Sequence, residues 1–191
     1  MAQIRENIKM DIFVPDNELA HIDAMCSSAR DGSVLENLVA LCWHLRQRDT
    51  RRALTLADHA EAMLSSAAPP VIGAKQLRAR LLLVRAEASF LFQENHAASA
   101  SAQSALTSFL SLGDYAGCAD AQRLLALIAD ERSDFAGRDA ALGESREHAL
   151  RAGDVLRNRL AEAAIAFFAI SRSPKSCSMP RSRCIALGLG P

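Results

Sequence analysis

The chain has 191 residues, of which 50% are hydrophobic, 5% are aromatic and 23% are charged. Basic and acidic residues number 22 each, so the formal net charge is zero and provides no overall attraction for nucleic acid or for an anionic membrane. A core of small and aliphatic side chains favours packed helices over a β-sandwich.

Cysteine usage and the N-terminus point to a cytoplasmic protein. The five cysteines are odd in number and show no CxxC spacing, which favours reduced thiols over a disulfide framework. The first residues, MAQIRENIKMD, carry charges where a signal peptide needs an apolar run. The longest uncharged apolar run, 163–170, is too short to span a bilayer, so we expect no membrane partner.

The predicted elements, taken in chain order, are all helices. Apolar residues recur at helical spacing, as in Ala121, Leu124, Leu125 and Ile128. The pattern predicts a lead helix at 17–30 and a last helix at 155–170. Between them it predicts three helix pairs: 34–47 with 50–66, 75–93 with 96–112, and 116–131 with 136–152.

The helical pattern repeats every 40 residues, as the glycines at 73, 113 and 153 show. A fixed period of this size is typical of a repeat architecture, in which each helix pair buries one face against the next. Asp114 and Asp154 follow two of these glycines in the position of a helix N-cap. The sequence therefore predicts an all-α fold, an α-solenoid of antiparallel helix pairs.

Three regions follow from this pattern. Residues 1–33 form an N-terminal segment with a capping helix, residues 34–170 form the repeats, and residues 171–191 form a basic tail. The tail has four basic residues, no acidic residue, and prolines at 174 and 180 that exclude a helix interior. It is interpreted either as a disordered tail or as the replacement of a longer continuation by truncation or a change of reading frame. The second interpretation leaves apolar residues of the last helix uncovered and predicts a homodimer through that helix.

The stretch LVALCWHLRQRDTRRALTLADHAEAML, from Leu38 to Leu64, resembles a unit of the tetratricopeptide-repeat family. It has small and apolar positions in a first helix, a polar turn at Arg48 and Asp49, and alanines where the second helix packs back. The resemblance covers about 34–170 and implies a superhelix that binds a protein or peptide partner.

The run WHLRQRD followed by RALTLAD is also similar to repeats in the N-terminal input region of bacterial signalling proteins, notably some diguanylate cyclases. This resemblance implies the input or adaptor part of a bacterial signalling system. The alternative is the truncated N-terminal region of a cyclase-type enzyme whose catalytic domain is absent, because no GGDEF-like segment occurs in the chain.

The family register places a candidate peptide-binding groove on the stacked first helices. Mixed charge with a few apolar anchors there suits an extended or helical peptide. The predicted groove residues are Arg46, Arg80, Leu83, Glu87, Phe90, Asp120, Arg123 and Leu127, with Leu38, Cys42 and Asp130 alongside them.

Candidate chemistry is sparse elsewhere. His44 and His59 lie on consecutive predicted helices and could meet, but their spacing matches no metal-ligand pattern. His148 is expected to be solvated, and carboxylate pairs such as Asp130 with Glu131 are typical of helix surfaces. We expect no catalytic residue, no cofactor and no metal.

Overall fold

The computed structural model describes residues 10–28, 33–67 and 71–171. Within these ranges the chain forms eight helices and no strand. They are α1 (Asp16–Ser28), α2 (Ser33–Leu45), α3 (Thr50–Ser66), α4 (Ala74–Leu91), α5 (Asn95–Leu112), α6 (Tyr115–Glu131), α7 (Phe135–Arg151) and α8 (Val155–Ser171). Each predicted helix is present, and the basic tail predicted at 171–191 lies outside the described residues apart from Ser171.

The helices pack in chain order, each against the next. In addition α2 contacts α4, α4 contacts α6, and α6 contacts α8, so these four first helices form one continuous inner layer. This succession confirms the predicted all-α fold and α-solenoid arrangement. The lead helix α1 packs against α2 at the N-terminal end of the array.

The turns between helices explain why Gly-Asp recurs. Gly113 and Gly153 have φ values of +68° and +65°, a left-handed conformation that glycine adopts without steric cost. Asp114 accepts a hydrogen bond from the amide of Gly117 at 2.8 Å and so caps the start of α6. Asp154 accepts one from the amide of Arg157 at 3.0 Å and caps α8 in the same way. The predicted N-caps are confirmed.

Alanine lets the second helices approach the inner layer closely. Three alanines on α3 and three on α5 are completely buried at helical spacing: Ala53, Ala57, Ala60, Ala98, Ala102 and Ala105. The largest fully buried side chains are Trp43 on α2 and Phe109 on α5. A core of this kind depends on shape, because small residues on one helix must match large ones on its neighbour.

The last helix has an apolar side that the described residues leave open. Phe167 is 64% exposed and Ile170 is 69% exposed. Exposed apolar surface at this end agrees with the sequence expectation, whereas dimerisation through it stays a prediction. Among the described helices, none combines the length and the apolar character needed to cross a membrane.

The close approach of α5 and α6 gives a test of the packing. A Cβ added at Gly117 would lie 2.5 Å from Cδ1 of Phe109, so Gly117→Ala forces a buried ring or a helix to move. We expect the free energy of unfolding, measured by urea denaturation, to fall by about 1–2 kcal/mol.

Gly143→Ala is the matched control, because Gly143 is also helical and an added Cβ there meets nothing within 4 Å. Alanine favours the helix, so this variant should gain up to about 1 kcal/mol. Equal effects of the two substitutions would contradict the packing described for α5 and α6.

Candidate functional site

A buried cluster of opposite charges joins the inner helices. Arg80 on α4 donates from Nη1 to Oδ2 of Asp120 on α6 at 2.7 Å. Arg157 on α8 donates to both carboxylate oxygens of Asp120, each at 2.9 Å. All three residues are at most 3% exposed. We call Arg80, Asp120 and Arg157 the inner ion network, and it fixes α4, α6 and α8 relative to one another because none of its charges can lose its partner cheaply.

The capping aspartates extend this network. Asp154 caps α8 through one carboxylate oxygen and accepts from Nη1 of Arg157 at 2.7 Å through the other. Asp114 caps α6 and also lies 3.7 Å from Nη2 of Arg80. The Gly-Asp motif therefore has two roles, since its carboxylate both starts a helix and neutralises a buried guanidinium.

The network keeps its members ionised. Burial alone would raise the pKa of Asp120, but the charges of Arg157 and Arg80 outweigh that effect and lower the pKa below its ordinary value. Burial would likewise lower the pKa of Arg157, and Asp120 more than compensates, so that pKa is raised. The carboxylate and the guanidinium each keep the other charged inside the fold.

The single tryptophan of the chain lies beside this network. The guanidinium carbon of Arg46 is 3.6 Å from the centroid of the Trp43 ring, and that of Arg80 is 4.6 Å away. Arg46 in turn donates from Nε to Oε2 of Glu87 at 2.8 Å. Two cations thus pack over one completely buried indole, an arrangement that attraction to the ring face stabilises.

A non-helical part of the chain lies against the inner layer. We call residues 10–14 the groove segment. Arg157 Nη2 donates to the carbonyl oxygen of Met10 at 2.7 Å, Trp43 Nε1 to that of Asp11 at 2.9 Å, and Arg48 Nη2 to that of Val14 at 2.7 Å. The segment therefore connects α8 with α2 and the turn after it, across the face that the four first helices form.

Burial along the groove segment alternates. Met10, Ile12 and Val14 are 6%, 2% and 6% exposed, whereas Asp11 and Phe13 are exposed. A period of two is that of an extended chain, in which successive side chains point to opposite sides. Met10 and Ile12 belong to the same hydrophobic core as the inner helices. The segment thus occupies the inner face as a bound peptide would.

The fold brings the predicted groove residues together, but most of them are buried. Arg46, Arg80, Leu83, Glu87 and Asp120 are at most 3% exposed. The remaining three, Phe90, Arg123 and Leu127, are partly exposed. Alongside them Leu38 and Cys42 are buried, and Asp130 accepts from Nη1 of Arg138 at 2.7 Å. The role of these residues in peptide binding stays a prediction.

Sequence reasoning missed the residues that hold the groove segment. Trp43 and Arg157 were not among the predicted groove residues, and no structure was predicted for residues 10–14. The signal was weak, since Met10, Ile12 and Val14 stand at alternate positions ahead of Pro15 but Phe13 between them is apolar as well. A five-residue alternation without a partner strand gives no reason to expect burial, so only the fold reveals it.

The histidines and cysteines of the described ranges offer no second site. His44 is buried on α2 and His59 is exposed on α3, and the described residues contain no group of side chains suited to a metal ion. The expectation that His148 is solvated is wrong, because it is 9% exposed and its ring stacks on that of Tyr115. Burial raises the pKa of both Cys42 and Cys118 to about 12, which keeps their thiols protonated.

The geometry defines an all-helical protein of stacked hairpins with a groove occupied by its own chain. Comparison with models of protein families, with curated proteins and with solved structures finds no match for this chain. The description of this chain as a protein of stacked helical hairpins therefore rests on the arrangement of its helices and on the contacts of its inner face.

Replacing Asp120 tests the inner ion network. In Asp120→Asn the buried guanidiniums of Arg80 and Arg157 lose the carboxylate that they share, and breaking a buried pair in this way costs about 3–5 kcal/mol. We expect a loss of that size in the free energy of unfolding, measured by urea denaturation. Glu147→Gln is the control, because its pair with Arg151 is exposed and contributes about 0.5 kcal/mol or less. A loss in Asp120→Asn no larger than in the control would refute the role given to the network.

His44 makes stability depend on pH. Burial, followed by the charge of Arg46, lowers its pKa from 6.5 to about 4. The unfolded chain therefore binds a proton before the folded chain does, and the free energy of unfolding falls as the pH drops from 6.5 to 4. We expect His44→Gln to reduce this fall, as measured by denaturation at a series of pH values. An unchanged pH profile in the variant would show that His44 titrates normally in the folded chain.

Proposed function

We propose that the protein is a non-catalytic helical-repeat interaction module whose inner face binds an extended segment of a partner polypeptide. The observation that carries this proposal is the way the face holds residues 10–14. Three side chains, Trp43, Arg48 and Arg157, donate to main-chain carbonyl oxygens, and three apolar side chains are buried between them.

Donors of this kind suit a polypeptide ligand. A carbonyl oxygen is present at every residue, so the three hydrogen bonds hold a bound chain without demanding a particular side chain. Selectivity then comes from the apolar positions that the face covers. Guanidinium donors also form the stronger class of hydrogen bond, which supports a stable complex.

The state of the reactive groups supports a binding role without chemistry. The buried carboxylate of Asp120 is held ionised by two arginines, and Asp114 and Asp154 are engaged as helix caps. The buried thiols of Cys42 and Cys118 have a pKa of about 12 and are poor nucleophiles at neutral pH.

The setting we propose follows from the resemblance of residues 38–64 to tetratricopeptide units and to input regions of bacterial diguanylate cyclases. The module would act in the cytoplasm as the input or adaptor part of a signalling system. Its partner in that role is a protein or peptide, and the groove would transmit the presence of that partner by binding it.

Selection from a displayed random peptide library tests the proposed function. The targets are the full wild-type chain and a full chain carrying Met10→Ser and Ile12→Ser, which we call the segment variant. We expect peptides that bind at least one of the two targets. In the target that binds, Arg123→Gln should weaken the selected peptides about tenfold, because it removes a partly exposed guanidinium from the face.

Arg146→Gln is the matched control, since Arg146 is exposed on α7, outside the inner layer. It should leave the dissociation constants, measured by calorimetry, unchanged. If neither target selects a peptide, or if both arginine variants bind equally well, the proposed function is wrong.

A further inference from the structure

We infer that residues 10–14 are an intramolecular ligand of the inner face, and that a partner binds by displacing them. The inference rests on the proposed function and specifies its ligand. The partner segment is extended and carries apolar side chains at three alternate positions, in the pattern of Met10, Ile12 and Val14. The chain thus contains both the groove and a competitor for it.

The contacts of the groove segment are those of a docked peptide. In the described chain its hydrogen bonds run from arginine and indole side chains to its carbonyl oxygens, at 2.7–2.9 Å. No strand pairs with it within the described ranges. The main-chain hydrogen bonds of the helices are made within the helices and their turns, and none of those described involves residues 10–14.

The connection to the rest of the chain permits release. Residues 10–14 are joined to α1 through Pro15, whose carbonyl oxygen accepts from the amide of Leu19 at 3.0 Å. Pro15 and the first residues of α1 are exposed. The segment is short and lies outside the helices, so its release can occur as a local opening that leaves the helices folded.

The floor of the groove is partly charged, although Met10 and Ile12 also pack against the hydrophobic core. Removing the segment would give water access to the guanidinium of Arg157, which forms strong hydrogen bonds with water, and to the indole of Trp43. A wholly aliphatic floor would lose more on exposure. The open state is therefore accessible to a competing chain.

Two donors on the same face support a ligand longer than five residues. Nη2 of Arg46 and Nε of Arg123 are buried and have no hydrogen-bond partner among the described residues. Arg46 is 3% exposed, so its unpaired N–H groups are costly unless an acceptor reaches them. A partner longer than the groove segment has additional main-chain carbonyls with which to reach these two donors.

The fluorescence of Trp43 reports whether the groove segment occupies the inner face. Trp43 is the only tryptophan, and its indole N–H donates to the carbonyl oxygen of Asp11. In the segment variant we expect emission at longer wavelength, since water reaches the ring. Phe13→Ser is the matched control within the same segment, because Phe13 is 57% exposed and its loss leaves the groove covered. Emission of the segment variant equal to that of wild type would overturn the inference.

The second part of the fluorescence experiment adds a synthetic peptide with the sequence of residues 8–16. This peptide contains no tryptophan, so all the emission comes from Trp43. Titrated into the segment variant, it should return the emission to the wild-type wavelength and saturate. Wild type should bind the same peptide at least about tenfold more weakly, because its own segment competes. Equal affinity for both chains, or failure of the peptide to bind the segment variant, would overturn the inference.

Two further measurements cover folding and oligomerisation. Circular dichroism must show equal helix content in all variants. If the segment variant unfolds, Val14→Ala replaces it and should bind the peptide more tightly than wild type.

Dilution of wild type tests whether the segment comes from the same chain. A shift of its emission to longer wavelength on dilution would mean that a second copy supplies the segment, and would overturn the inference of an intramolecular ligand.

The outcome also separates this inference from the proposed function. Library peptides that bind wild type and the segment variant with the same affinity would support the interaction module and contradict competition by residues 10–14. If no peptide binds either chain, the proposed interaction module is wrong as well.

Discussion

The carboxylate of Asp120 is the constraint on which the inner face depends. It accepts from Arg80 and Arg157, so one buried charge ties the second, third and fourth helices of the inner layer together. Apolar contacts alone let neighbouring helices slide, whereas charge-assisted hydrogen bonds require a particular distance and direction. The position of α8 therefore follows from α6, and the site at which Arg157 meets Met10 follows from α8.

The same ion network accounts for the character of the groove. The guanidinium of Arg157, which donates to Asp120, also donates to the carbonyl oxygen of Met10. One residue of the network that aligns the helices is thus also one of the three donors that hold the groove segment. Substitutions in it change stability and binding together, which is why the partly exposed Arg123 is the better probe of binding.

Much of the fold follows from local pattern. The spacing of apolar residues predicts every helix, and the bounds differ from those observed by at most two residues. Turn chemistry is local too, as the φ of +68° at Gly113 and the cap at Asp114 show. The site was predicted less well. Arg46 and Glu87 were anticipated as neighbours on one face, while their burial and the contacts of Trp43 and Arg157 with residues 10–14 were not.

The sequence by itself determined the helices, their period and the succession of hairpins, because these depend on residues three, four or forty positions apart in one regular pattern. Only the tertiary structure decided what covers the inner face. Arg157 and Met10 are separated by 147 positions, and their contact exists because the stacked helices place α8 within reach of a segment that also contacts α2. The position of α8 relative to α2 results from the packing of every helix between them, and no single stretch of sequence encodes it.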